Sequence, residues 1–253
     1  MPARRCAGRS PTRWQVEAYP RAARAGPYRT YNAGMCGRYA LRTSVPALAR
    51  ALGVELPADL APRYNIAPTQ PVAVLRAAAD GRSFAMLRWG LVPSWSAGPD
   101  ARYAMHNARR EGLADKPAYR TPLRRRRCLI PADGWYEWQK LGARKQPWLI
   151  ELPDARPFCF AGLWDAWERD GATIESCTVI TAPADPGIAH LHPRMPLIAP
   201  PQIWDTWLDP QQPDAARALA LLDQAPCPRL TTTAVSTHLN NARNDDPRCV
   251  EPI

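Results

Sequence analysis

The sequence predicts a β-rich α+β domain with a mainly antiparallel, barrel-like sheet core and a few short helices. Short runs rich in β-branched and aromatic residues recur between Pro, Gly and Asp along most of the chain. Helical periodicity is confined to three stretches. Strands do not alternate regularly with helices, which excludes a doubly wound parallel architecture.

In chain order, the first helix is expected in "SVPALARAL" around Leu48. Strands are expected in "PVAVLR" (71–76), "SFAMLRWG" (83–90), "RCLIP" (127–131), "PWLIEL" (147–152), "PFCFAGLW" (157–164), "IESCTVIT" (174–181) and "LTTTAVSTH" (230–238). A second helix is expected from Ile203 to Trp207 and a third in "PDAARALALLDQ" (213–224). No internal repeat is evident.

A chain of 253 residues, 46% of them hydrophobic, can bury one large core. It holds no run of eighteen apolar residues and no apolar signal segment, so a soluble, intracellular protein is expected. Its seven cysteines form no C-x-x-C pair, which supports neither a zinc site nor a disulfide framework. The net charge of +10 is unevenly spread. Residues 1–34 hold seven arginines against Glu17, hence +6, and leave +4 for the rest. That segment mixes Arg, Ala, Pro and Gly without periodicity and reads as a disordered basic extension, either a misassigned start or a propeptide. A basic nucleic-acid-binding tail is the functional alternative. Residues 35–253 read as the working domain.

Conspicuous polar groups cluster in "MHNARRE" (105–111), "ADGWYEW" (132–138) and "HLHPRMP" (190–196), settings that suit turns on a scaffold. Each offers one side chain suited to catalysis. Glu137 lies between Tyr136 and Trp138, where apolar neighbours would raise its pKa towards general acid–base use; a surface glutamate on an alternating strand is the plain alternative. His192 suits proton transfer or a structural place, and Asn107 suits orientation or a turn cap. Arg38, Arg109 and Arg194 each fall within two residues of a candidate catalytic residue, as bidentate phosphate holding requires. Trp89 and Trp95 in "RWGLVPSW" suit base stacking or core packing. "LRRRRC" (123–128) reads as a solvated basic face or as a phosphate contact.

Cys36 follows Met35. Were Met35 the initiator and removed, Cys36 would hold a free α-amine and a thiol on one residue. An α-amine pKa near ~7.8, against ~10.4 for lysine, leaves a far larger neutral fraction at pH 7. Such a 1,2-aminothiol condenses with an aldehyde to an imine, which the thiol closes to a thiazolidine. An internal Cys36 retains ordinary thiol nucleophilicity alone.

"MCGRYA", "PRYNIAPTQPVAVLR", "RWGLVPSW", "NARREG", "RRRRCLIPADGWYEW", "HPRMPLI" and "ARNDDPRCVEP" together resemble the SOS response-associated peptidase (SRAP) family, from Met35 to the last few residues. The resemblance implies a protein that binds abasic sites in single-stranded DNA and crosslinks to them through a thiazolidine at Cys36. It implies Asn107, Glu137 and His192 as the other active-site residues, Glu137 as acid–base in ring opening, Asn107 as orienter and His192 as proton carrier. Arg38, Arg109 and Arg194 match DNA-phosphate positions, Trp89 and Trp95 fall in a groove-lining motif, and Thr181 is a weaker lining candidate. Arg110 departs from the family's small residue and adds a charge beside the site. A cytoplasmic, nucleoid-associated monomer needing no cofactor and no metal is expected. The alternative is a cysteine peptidase, acting on its own N-terminus or on other chains, with Cys36 as nucleophile and His192 as base; a non-catalytic single-strand binder would need neither Cys36 nor Glu137.

Overall fold

The computed structural model describes residues 37–79, 81–99 and 105–253. The expected extension over 1–34 and Cys36 lie outside the described residues. The strands are β1 (Tyr39–Leu41), β2 (Arg63–Ile66), β3 (Pro71–Ala78), β4 (Gly81–Trp89), β5 (Asn107–Arg109), β6 (Arg127–Ala132), β7 (Gly134–Leu141), β8 (Arg144–Glu151), β9 (Phe158–Arg169), β10 (Ala172–Pro183), β11 (Arg194–Pro196), β12 (Ile198–Ala199) and β13 (Thr231–Ala234). The α-helices are α1 (Val45–Leu52), α2 (Pro117–Arg125), α3 (Trp204–Leu208) and α4 (Ala215–Gln224).

The order β10-β4-β3-β6-β9, with β9 pairing back to β10, closes a barrel. A second sheet runs β13-β8-β7-β1-β2. Pairing is antiparallel except where β10 meets β4 and β5 in parallel. The fold class is therefore the expected one, and barrel closure is its physical rationale: a sheet paired back on itself leaves few open edges.

Local sequence explains the main joints. β9 and β10 are linked by Asp170 and Gly171, both at positive φ (50° and 78°), as the tight Asp-Gly hairpin turn demands. β6 continues almost directly into β7, so one run of chain belongs to both sheets. Its corner is Asp133, buried, whose carboxylate accepts from the amides of Arg42 and Thr43 and, at 2.6 Å, from the Thr43 hydroxyl. A side chain at the next position, Gly134, would meet the Ile150 carbonyl at 2.8 Å, so the two strands close up there only around glycine.

Between the sheets Trp135 and Tyr39 meet Phe160 edge to face at 6.1 and 5.8 Å, and Phe158 joins them. Each such pair adds about 0.5–1.5 kcal/mol beyond the area it buries.

The seven expected strands and three expected helices are present. "LTTTAVSTH" is shorter as a strand, because Ser236 caps a 3-10 turn over Thr237–Asn240 through the His238 amide. β1, β2, β5, β7, β11, β12 and α2 go beyond the sequence expectation. α2 escapes periodicity reasoning because Pro122 lies inside it and its burial rests on Tyr119, Pro122 and Leu123. The "LRRRRC" run is neither wholly solvated nor wholly available. Arg124 and Arg125 are exposed; Arg126 pairs with Asp165 and lies over Trp164. Arg127 is buried and donates to the carbonyls of Leu123, Arg124, Trp207 and Asp209, closing the ends of α2 and α3.

Candidate active site

β10 gathers most of the candidate residues. Its parallel partner β5 places Asn107 opposite Val179 and Arg109 opposite Thr181, while antiparallel β11 places Arg194 opposite Pro183. Arg109 is exposed. The Arg194 guanidinium forms a bidentate pair with Glu111 at 2.9 Å for both bonds and donates to the Thr181 carbonyl at 2.7 Å. That fork holds the Glu111 carboxyl below the usual glutamate range. His192 sits in the turn before β11, and its Nδ1 lies 3.1 Å from the Arg194 amide. The turn thereby fixes the imidazole against the strand that bears Arg194.

Glu137 is on β7, 6% exposed, which removes the surface-glutamate reading. The β1–β7 register pairs Tyr39 with Trp135 and the Arg38 carbonyl accepts from the Tyr136 amide at 3.0 Å, so Gly37 continues opposite Glu137. Glu137 thus shares a face with Trp135 and Tyr39. Tyr39 and His106 meet the Trp89 indole edge to face at 5.2 and 5.8 Å, and Trp89 donates to the His106 carbonyl at 2.8 Å. The entry to β1 and the head of β5 are therefore joined through one ring.

The two tryptophans part company. Trp89 is fully buried and has no face to offer a base; its role is the core joint just described, which corrects the stacking expectation. Trp95 is 68% exposed and lines a cleft of about 440 Å³ with Met105, Asn107, Lys116, Pro117, Ala118 and Tyr119. Thr181 is buried, its hydroxyl 3.5 Å from the Ala108 carbonyl, a place that supports β5 instead of lining an open groove. Arg38 donates to Asn65 at 2.8 Å and stands over Trp138, and burial lowers its pKa from the ordinary arginine value. Arg110, expected to add charge at the site, is instead bidentate on Asp223 of α4.

Sequence reasoning missed Glu111, which holds the Arg194 fork, and Lys116 and Tyr119, which line the cleft. Glu111 stands in the "MHNARRE" cluster, but nothing local shows its partner 83 residues on. Lys116 and Tyr119 belong to the cap and first turns of α2, the helix that periodicity conceals.

Four of the five cysteines among the described residues are buried, which leaves them unsuited to nucleophilic work, and only Cys227 is exposed. Cys128, Cys159 and Cys177 are buried in the barrel, and desolvation pushes their thiols far up; Cys227 and Cys249 are raised by the same cause. His238, Asp246 and Cys249 offer ligand atoms within 4.8 Å of one another. The His238 nitrogens are already engaged, Nε2 with Asp246 and Nδ1 with the Asn244 amide, each at 3.0 Å. The trio is spent on internal bonding.

A family model described as SOS response associated peptidase (SRAP) matches residues 35–242. The abasic site processing protein YoqW of Bacillus subtilis is 33% identical over 222 residues, covering 86% of this chain and 99% of that protein. The abasic site processing protein HMCES of Xenopus tropicalis is 34% identical over 224 residues, covering 76% of this chain and 66% of that protein. Among solved structures, a Bacteroides thetaiotaomicron protein superposes with a TM-score of 0.73 at 23% identity, covering 86% of this chain and all of that one. A phage-related protein of Bordetella bronchiseptica gives 0.64 at 29%, covering 79% of this chain and 94% of that one.

Proposed function

Since the chain belongs to the SOS response associated peptidase (SRAP) family, we propose that it processes abasic sites in DNA, as the names of its relatives state for them. In this reading it binds single-stranded DNA and forms a covalent thiazolidine through Cys36, with the working domain running from Met35 and residues 1–35 removed. The amine of Cys36 attacks the ring-opened sugar aldehyde and expels one water to give an imine. The thiol then adds to that carbon, forming the C–S bond as its proton passes to nitrogen. The adduct would shield the site from strand cleavage.

The observation that carries the reading is the junction at Gly37. The residue bonded to the candidate nucleophile stands across from the buried carboxyl of Glu137, and Trp89 links that strand to the head of β5, where Asn107 faces the cleft. In this scheme Glu137 moves protons in ring opening and imine formation, Asn107 orients the sugar, and His192 serves ring closure and reversal. Arg38, Arg109 and Arg194 hold phosphates, and Trp95 stacks a base. Thr181 is placed to support this edge.

The test starts from protein beginning at Met35, whose intact mass shows a free Cys36. It should give a gel-shifted covalent band with an abasic oligonucleotide and none with an intact one. Cys36→Ser should remove the band. Equal crosslinking by the full 253-residue chain, shown by mass to retain its arm, would refute the free-amine requirement. Cys36-dependent cleavage of a peptide without DNA would support the cysteine peptidase alternative.

A further inference from the structure

We infer that the exposed face of α2 is a phosphate track that carries the DNA strand onward from the cleft. The proposal rests on the reading above and extends it. Lys116, Arg120, Arg124 and Arg125 are all exposed, and none has an ion pair among the described residues. Most arginines that brace the barrel and its edges are spent, on Asp165, Asp205, Asp223, Glu111, Glu151 or Glu175.

The cations form a row. Lys116, Arg120 and Arg124 follow one another at intervals of four residues, a rise of about 6 Å per step along one side of the helix. The row is continuous with the candidate site, because the start of α2 contributes Lys116, Pro117, Ala118 and Tyr119 to the cleft lined by Trp95 and Asn107. At its other end Arg124, Arg125 and Thr121 line a second cleft of about 510 Å³ with Pro213 and Asp214.

A structural reading explains part of this row. Arg124 and Arg125 suit the negative end of the helix dipole. Lys116 does the opposite, since it stands at the positive end, and Arg120 lies mid-helix with no ionic partner among the described residues. The nearby acids are Asp115, Asp214 and Glu111; Glu111 is taken by Arg194 and Asp214 caps α4. The surplus of charge therefore remains positive, and an array of evenly spaced cations leading from a stacking residue fits the backbone of a single strand.

The test uses fluorescence anisotropy with oligonucleotides of five and of twenty residues that carry a stable, non-aldehyde abasic analogue, over a salt series. For the triple variant Arg120→Gln, Arg124→Gln and Arg125→Gln, the slope of log K against log[salt] for the longer strand should shallow by about 2, at roughly 0.7 per lost phosphate contact. Its affinity at low salt should fall at least tenfold, while the short strand binds unchanged. Arg120→Gln alone should shallow the slope by about 0.7. An unchanged slope for the longer strand in both variants would overturn the proposal. The Cys36 crosslink to an abasic five-residue strand is read in parallel. If it forms while the slopes stay fixed, the track is wrong and the proposed function stands; if slopes shallow but no crosslink forms, the reverse holds.

Discussion

Two polar clusters of this protein look alike in sequence and behave oppositely in structure. One surrounds Asn65 and the "ARNDDPRCVEP" segment; the other surrounds the cleft at Asn107, Trp95 and Arg194. In the first, most polar groups are spent on one another. The Asn65 amide donates to the carbonyls of Leu239, Asn241 and Asn244, its oxygen accepts from Arg38, and Asp245 accepts from Arg63 and from the amides of Tyr64 and Asn65. This is a clamp that ties the C-terminal segment to β2. In the second, the cations Arg109 and Lys116 are exposed, as is the ring of Trp95, and the Arg194 fork is held by Glu111 alone among the acids of the described residues. A network bonded within itself resists change, whereas exposed cations beside an aromatic ring can take a ligand.

The largest effect expected from this contrast is at the clamp. Asn65→Ala removes the donor to three carbonyls and one acceptor of Arg38 in a buried setting, at about 0.5–1.5 kcal/mol for each hydrogen bond lost. Urea unfolding should show a loss of about 2–4 kcal/mol, and a loss below about 1 kcal/mol would remove the distinction between the two regions. Next comes Trp95→Ala, which should weaken single-strand binding by about 1–3 kcal/mol, the worth of one stacked base. Its unfolding midpoint should stay where it was, since its ring is exposed; a lowered midpoint with unchanged binding would make Trp95 a packing residue.

The smallest effect is at Glu111, which occupies the fork that phosphate would need. Exposed pairs of this kind are worth about 0.2–1 kcal/mol, so Glu111→Gln should tighten oligonucleotide binding by no more than about fivefold. Because Arg194 lowers the Glu111 pKa, the pair is intact above the ordinary glutamate value near ~4.3 and is lost as pH falls through the lower folded value. Affinities of wild type and variant should therefore converge in acid. Weaker binding by the variant would mean that Glu111 supports the site.

Much of this was legible in the chain, for identifiable reasons. Strands such as β3, β9 and β10 announce themselves because each is long and apolar over most of its length. β1 and β11 are three residues each, too short for any periodicity, and their existence depends on partners elsewhere in the chain. Asn107, Glu137, His192 and Arg194 were legible as candidates from their clustering and from the family's motifs. Pairing across 83 residues, as between Glu111 and Arg194, leaves no local trace. Burial was equally hidden: "RWGLVPSW" presents two tryptophans alike, and only the fold puts one inside and one outside.

The way the barrel closes has a kinetic consequence. β3 and β4 form an extended hairpin from Pro71–Arg88 to Ala78–Gly81, whereas its neighbours are joined at Leu75–Leu129 on one side and at Ser176–Arg88 and Cys177–Trp89 on the other. The hairpin pairs locally and docks across long chain separations, so its docking is expected to be slower than its own formation. Native-state hydrogen exchange would find the amides along these two short seams opening before those of the β9–β10 ladder. Trp89, in edge contact with both Tyr39 and His106, ties the end of that hairpin to the strand entries beside the cleft, so loosening of these seams would be felt at the site itself.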